Sequence, residues 1–579
     1  MSQIKENPAL VAAQEAQRKI NQALDAGYSF RLEAGAGAGK TYSLVAALKR
    51  LIDERGSTLV QSGKKVACIT YTEVARNEIA QEIEDHPAIL VDTIHGFCWA
   101  FIRQFQKAIR DLVIELKDKK EKVEQSGGIG SQLVEYDLGF FSVDEMRITL
   151  NHDDIPELMA MLLAKEKFRM LFSQQFPVIF IDEYQDTHRQ FMDAITDYFL
   201  KSKTGPIIGL FGDHWQTIYS SEYELAEYPI EEIAKGSNFR SVPAVVNVLN
   251  ALRPELPQVV SLPEAKGEAR FFHTNSYNGP RTNTAHSKED LPSDIARSCR
   301  EELMARLRVE GWDLKKTKVL MLSHNVLAVE QGYPKIVELF RGRTEQFTKK
   351  EDPVIRFFAE VIEPMCMAYS SSHYGDMFKI LGARPAITKH EDKMLWRRDM
   401  DRLLKLRIEG TIGQVIDHLK ITKRPSLPDR ILRREEELIS LMGIPEVEMS
   451  SRPQRYKKLR EIPYKEVIEV TRFIEKLTPF ATQHSVKGAE FDNVLVILGG
   501  GWNHYNWPQL LELLETKKLT KTNMKGFYRA RNLFYVSISR PMTRLAVLAT
   551  QSLSDTALLT VNNLFGSENV EGLSFDTKD

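Results

Sequence analysis

Ala34-Gly35-Ala36-Gly37-Ala38-Gly39-Lys40-Thr41 is a run of small residues closed by a lysine and a hydroxyl. Small residues free successive backbone N–H groups to cradle phosphates, Lys40 can reach the β/γ-phosphates, and the Thr41 hydroxyl can ligate Mg²⁺. The strict pattern places glycine six residues before the lysine, where this chain has Ala34. The flanking sequence supports the reading all the same. Ser29-Phe30-Arg31-Leu32 alternates as a strand does, and Tyr42 to Ile52 carries apolar residues at helical spacing. Strand, loop and helix thus occur in the order a phosphate-binding loop requires.

A second stretch supplies the acids that such a loop needs for hydrolysis. Val178-Ile179-Phe180-Ile181-Asp182-Glu183 is an apolar run ending in two carboxylates, the pattern of a buried parallel strand that delivers acids to the carboxyl edge of its sheet. Asp182 is then placed to hold Mg²⁺ and Glu183 to polarise the attacking water.

Further motifs follow in order. Glu183-Tyr184-Gln185-Asp186-Thr187 succeeds the acidic strand, and Gly212-Asp213-His214-Trp215-Gln216-Thr217-Ile218-Tyr219 succeeds the apolar strand at 207–211. Ile69-Thr70-Tyr71-Thr72 and Val91-Asp92-Thr93-Ile94-His95-Gly96-Phe97 lie upstream; Asn238-Phe239-Arg240-Ser241, Thr482 to Phe491, and Arg531 to Arg540 lie downstream. Together these segments resemble the motifs of UvrD/Rep-type superfamily 1 helicases, from about Gln17 to about Arg544.

The resemblance implies roles. Gln17 would meet the adenine edge, an amide being able to pair with N6 and N7, with Gln14 and Gln22 as rivals. Ala34, Gly35, Ala36, Gly37, Ala38, Gly39, Lys40 and Thr41 would form the phosphate cradle, with Thr41 and Asp182 the metal ligands. Phe239 would stack on the base, Arg240 would meet the γ-phosphate, and Arg540 would be a second arginine finger. Gln185 and Gln216 would contact the γ-phosphate and the water, and Glu490 would lie near the ribose, with Gly488 permitting close backbone approach. Lys40, Asp182, Glu183, Gln216, Arg240 and Arg540 are thus the expected catalytic set, and ATP and Mg²⁺ the expected cofactors.

For nucleic acid, the resemblance points to Thr70, Tyr71, Thr93, Phe97 and Tyr219, with Ser241 a further hydroxyl for phosphate. Single strands are held by aromatic faces interleaved with phosphate contacts, which suits Tyr71 and Phe97. After Tyr219 the chain departs from the family pattern. It reads Ser220-Ser221-Glu222-Tyr223-Glu224 where an aromatic and Arg-Gly-Ala are usual, leaving Trp215 or Tyr223 as substitutes by position. The last motif departs too, with Ala530 in place of an acid and Pro541 after Arg540.

The organisation expected is α/β: two RecA-like P-loop NTPase domains with parallel sheets, each carrying a mainly helical insertion. The first domain takes 1–97 and 166–237 with its insertion at 98–165; the second takes 238–365 and 480–579 with its insertion at 366–479. The charge run Lys117-Asp118-Lys119-Lys120-Glu121-Lys122 reads as a solvated helix face. A net charge of −1 excludes a generally basic coat but not a local basic groove. Four scattered cysteines, Cys68, Cys98, Cys299 and Cys366, offer no paired metal-ligand spacing and suit a reducing cytoplasm. No apolar run approaches a membrane span, so no membrane partner and no targeting segment are expected.

The expected activity is ATP-dependent 3′-to-5′ translocation on, and unwinding of, single-stranded or tailed duplex DNA. The polarity comes from the resemblance alone. The compact insertions and the lack of repair-type tail modules also resemble the helicase-like component of Gabija-type antiphage systems. That resemblance implies a different role: a nucleic-acid-sensing ATPase subunit working with a separate nuclease.

Overall fold

The computed structural model describes residues 7–116, 119–137, 141–218, 228–284, 287–322, 327–328, 331–381, 387, 389–441, 449–475, 478–499 and 505–575. Two six-stranded parallel sheets organise them. The first half of the chain contributes strands β1 (Phe30–Ala34), β2 (Val66–Thr70), β3 (Ile89–Thr93), β4 (Leu133–Tyr136), β5 (Ser142–Val143), β6 (Arg147–Leu150), β7 (Val178–Asp182), β8 (Ile207–Gly212) and β9 (Glu231–Lys235). Six of these form the first sheet in the order β3-β2-β7-β8-β1-β9. A short pair, β10 (Ser237–Asn238) and β11 (Val259–Val260), leads to β12 (Glu268–His273), β13 (Thr317–Met321), β14 (Phe480–Thr482), β15 (Phe491–Leu498), β16 (Pro541–Ala549) and β17 (Val570–Gly572). The second sheet has the order β14-β13-β15-β16-β12-β17.

The central strands β2, β7 and β8 are buried on two faces, which is why they read as near-continuous apolar runs. In β7, Phe180 turns to one side, where its ring meets Phe30 and Phe211 at 6.2 and 5.2 Å. There it joins Leu44, Leu48 and Leu51 of the helix that follows the phosphate loop. Ile179 and Ile181 turn to the other side, against Phe97, Phe172 and Phe176. β15 repeats the alternation, with Val494 and Val496 on one face and Leu495 and Ile497 on the other. The helices that position the sites are α1 (Pro8–Ala26), α2 (Lys40–Gln61), α3 (Glu73–Glu82) and α4 (Ile94–Ile102), together with the helix Met524–Ile538.

The first insertion is mainly helical as expected, but it also holds a three-stranded sheet, β4-β6-β5, among its short helices. The charge run forms the expected solvated helix face at Lys120, Glu121 and Lys122, which are exposed, but not at Lys119. Lys119 is buried, pairs with Asp154 at 3.1 Å and lies 4.6 Å from the centre of the Phe141 ring, so it holds the insertion together instead of facing water. Lys117 and Asp118 lie outside the described residues. The segment between β13 and β14 is helical where it is described. Its apolar side chains, including Phe358, Met400, Leu419 and Tyr464, continue the cluster formed by Val319 and Met321 on one face of the second sheet. Among the described residues, no helix is long and apolar enough to cross a membrane.

Candidate nucleotide site and nucleic-acid edge

The phosphate loop leaves the carboxyl end of β1. Ala34 is the last strand residue and is buried, so the loop proper is 35–39. Gly37 and Gly39 both take φ +74°, a left-handed conformation that favours glycine. Gly39 caps α2, which brings Lys40 and Thr41 into its first turn. Lys40 Nζ lies 3.2 Å from Asp182 Oδ1 and forms a close ion pair with Glu183. β7 thus places its two acids against the loop, as the apolar run ending in Asp-Glu predicted.

Burial disfavours the Lys40 charge, but Asp182 and Glu183 outweigh it and raise the pKa. Burial likewise works against the Glu183 carboxylate, yet Lys40 and then Lys487 bring it down to about 2. Asp182 is instead raised, by burial above all and by Glu183 beside it. Asp182 is buried at the strand end, with the Lys40 ammonium 3.2 Å from its Oδ1. A buried carboxylate beside the phosphate loop, with the Thr41 hydroxyl in the first turn of α2, is a donor set of the kind a divalent cation takes.

Residues from the second half of the chain close over the loop. Asn238 Nδ2 and Gln258 Nε2 each donate to the Ala36 carbonyl at 3.0 Å, and the Ala36 N–H donates to the Tyr535 hydroxyl at 3.0 Å. A Cβ at Gly35 would stand 2.5 Å from Gln258 Nε2 and would displace that side chain from the loop. The Phe239 N–H donates to the Gly37 carbonyl at 2.9 Å, and its ring, 42% exposed, lies beside Gly39. Gln17 on α1 donates to Asn21 at 3.4 Å, while its Oε1 is buried without a partner. Gln14 and Gln22 are exposed, so of the three glutamines Gln17 has the acceptor free to take a base N–H.

Gln185 donates to Glu183 and accepts from the Asp213 N–H at 3.2 Å. Gln216 is tied to Asp213 Oδ2 at 2.8 Å. Arg240 Nη1 donates to the Ser539 carbonyl at 3.2 Å, with Glu490 3.4 Å from its Nε. Glu490 is half-exposed, and Gly488 takes φ +81° with open space around its Cα. Arg540 is buried and donates only to neutral oxygens, those of Val536, Ala489 and Ser539. Burial and then the charge of Arg240 bring it down to about 9. Two neighbouring guanidiniums with so little anionic compensation are the electrostatic complement of a phosphate.

The sequence reading passed over several contributors. Lys487 reaches from the second half to pair with Asp186 and lies 3.6 Å from Glu183. Its position next to Gly488 was the available signal. Arg253 joins Asp213 at 2.7 Å and Glu33 at 2.9 Å, and Arg531 stacks 3.8 Å over Trp215. Among the described residues, Glu33, Asp213 and His214 form one group with metal-ligand proximity. The Arg253 guanidinium is bonded to both carboxylates, however, so this group is an ion-pair hub.

The nucleic-acid edge departs further from expectation. Phe97 is fully buried, its ring 5.1 Å from Phe176 and 6.1 Å from Phe172, because α4 turns Ile94, Phe97, Cys98, Phe101 and Ile102 into the core at helical period. It is a core residue and cannot stack on a base. Thr70 is also buried, its hydroxyl donating to the Thr72 carbonyl at 3.2 Å. The Thr93 hydroxyl caps α4 by accepting from the Gly96 N–H at 3.3 Å, and Ser241 donates to the Pro541 carbonyl at 2.7 Å. Of the four that are described, Tyr71 alone fits an exposed stacking role, being 42% exposed just after β2. Tyr219 lies outside the described residues.

Comparison with known proteins accords with this geometry. The AAA domain family model matches residues 16–222, which span the loop, the acidic strand and the strand after it. The chain is 22% identical to Gabija protein GajB of Bacillus cereus (strain HuB5-5), in an alignment covering 93% of this chain and 96% of that protein. Both matches support the resemblance to UvrD-like helicases, and over most of its length the chain resembles GajB. Its cleft is that of a helicase-like P-loop ATPase, which binds a nucleotide together with a divalent metal.

Proposed function

We propose that the chain is an ATP-dependent DNA translocase and helicase, with 3′-to-5′ polarity, that couples hydrolysis to closure of two RecA-like domains. The observation that carries this reading is that the cleft is built from both halves. Tyr535, Lys487, Arg240 and Arg540 come from after β9, and Lys40, Asp182 and Glu183 from before it. The proposed division is 1–97 with 166–237 and 238–365 with 480–579, with insertions at 98–165 and 366–479. Lys40 holds the β/γ-phosphates once nucleotide draws it from its two acids, and Glu183 then orients the attacking water. Thr41 and Asp182 would hold Mg²⁺, whose charge would offset that of the phosphate oxygens. Gln17 and Phe239 fix the base, and Gln185 and Gln216 position the water and γ-phosphate. Arg240 and Arg540 stabilise transition-state charge only in a shut cleft, so turnover requires domain motion.

The resemblance to GajB over most of the chain favours a second reading, an ATPase subunit of an antiphage defence complex that senses nucleic acid and works in the cytoplasm with a separate nuclease. One experiment separates the two. ATP hydrolysis is measured with no nucleic acid, single-stranded DNA, duplex DNA or RNA, beside unwinding of 3′- and 5′-tailed duplexes. Stimulation by single strands with unwinding from the 3′ tail only supports the autonomous motor. An ATPase that unwinds neither substrate alone supports the partner-dependent sensor, and a chain with no ATPase under any condition overturns both.

A further inference from the structure

α4 presents two faces. Its core face takes Phe97, while on the other flank His95 and Trp99, one turn apart, meet side chains of the first insertion. The His95 and His152 rings stack with centroids 3.3 Å apart and planes 22° apart. Tyr136, at the end of β4, stacks on His152 at 6.1 Å, and its hydroxyl lies 2.6 Å from His152 Nδ1. Trp99 meets Tyr136 edge-on at 6.1 Å. Four rings from two separate parts of the chain therefore form one ladder, with His152 as its exposed rung.

The ladder begins beside Tyr71. β2 and β3 pair in register at Thr70 and Thr93, so Tyr71 and the start of α4 leave adjoining strand ends at the carboxyl edge of the first sheet. Lys349, from the second half of the chain, is close enough to depress the His152 pKa, after burial and against the pull of Asp153. The ladder thus lies where the first insertion comes near Lys349 of the second half. Its imidazoles are neutral near pH 7. Burial, then His152 and His188, bring His95 down to about 3, and burial chiefly lowers His188. Neutral flat rings make poor phosphate partners and good base partners.

We propose that His95, Trp99, Tyr136 and His152 form a base-stacking platform for single-stranded nucleic acid, continuing from Tyr71 onto the first insertion. The proposal rests on the reading of the chain as a nucleic-acid motor or sensor. It assigns to the insertion a direct grip on the strand, through bases rather than the backbone.

The test uses fluorescence anisotropy with two labelled strands of about 15 nucleotides, an oligothymidylate and an abasic strand with the same phosphates. His152→Ala should weaken binding of the oligothymidylate by about tenfold and leave the abasic strand unchanged. His152→Phe, which keeps a flat ring, should retain wild-type affinity for both. Because His152 is exposed, thermal melting of both variants should match the wild type. Equal losses on the two strands would assign His152 to phosphate contact or to structure and overturn the platform, as would no loss on either. A wild-type chain that binds neither strand overturns the underlying functional reading itself, a result distinct from a loss confined to the variants.

Discussion

The nucleotide cleft and the nucleic-acid edge of the same sheet were legible to different degrees. In the cleft, Lys40, Asp182 and Glu183 meet as the motifs implied, and Arg240 and Arg540 converge from the other half. At the edge, Phe97, Thr70 and Thr93 turn inward or spend their polar atoms on the backbone. The contrast has a physical source. A phosphate loop and a strand end fix where a side chain goes by backbone geometry, so residue type and spacing are nearly sufficient there. On a helix the side chain's direction depends on which face the rest of the fold covers.

The largest predicted effect breaks the cleft alone. Lys40→Ala should lower ATP turnover by more than about 10³-fold, since the β/γ-phosphates lose their positioning charge, while single-stranded DNA binding remains measurable. Loss of DNA binding in parallel would mean that cleft and edge are not separable. Arg540→Ala should lower turnover by about 10³-fold and leave nucleotide binding largely intact. Unchanged turnover in that variant would remove Arg540 from the catalytic set, and a lost fold would show instead that its bonds to Val536 and Ala489 matter more than any phosphate.

A third prediction sharpens the edge. Phe97→Ala should destabilise the fold by about 3–5 kcal/mol, because it empties a site packed by Phe172 and Phe176. Tyr71→Ala should leave stability near wild type and weaken single-strand binding by about tenfold. Chemical denaturation and anisotropy on the same two variants check this. The reverse pattern would restore Phe97 as a contact and make Tyr71 a packing residue.

How far the sequence reached follows from these cases. The two sheets were readable because β7 up to Ile181 and β15 from Val494 onward are buried on both faces and therefore apolar. The sheet within the first insertion was not, since β4, β5 and β6 have only four, two and four residues and partly exposed faces, too short for a period to register. Nor was Arg253 readable. Its carboxylate partners, Glu33 and Asp213, are brought to it only by the packing of both halves, and no local pattern announces a pair so distant in sequence. Lys119 shows the same limit from the other direction: a charge run describes composition, and Asp154 and Phe141 decide which of its members is buried.

The smallest effect, and the most discriminating between the two regions, is the response to acid. His95 is held near 3, by burial first and then by His152 and His188, against about 6.5 in an unfolded chain. The unfolded state therefore binds more protons between those values, and stability rises with pH across that window. The contribution is fully present above about 6.5 and is lost as the pH falls toward 3. In the cleft Glu183, at about 2 because Lys40 and Lys487 overcome its burial, contributes stability that is present above its unfolded value near 4.5 and lost only below it. Acid should therefore loosen the ladder before the cleft. Melting temperatures at pH 7, 6 and 5 should decline in the wild type and decline less steeply in His95→Gln, which has no proton to take up. Parallel declines would place the acid-sensitive group elsewhere and remove the distinction between a neutral, stacking edge and a charged, ion-paired cleft.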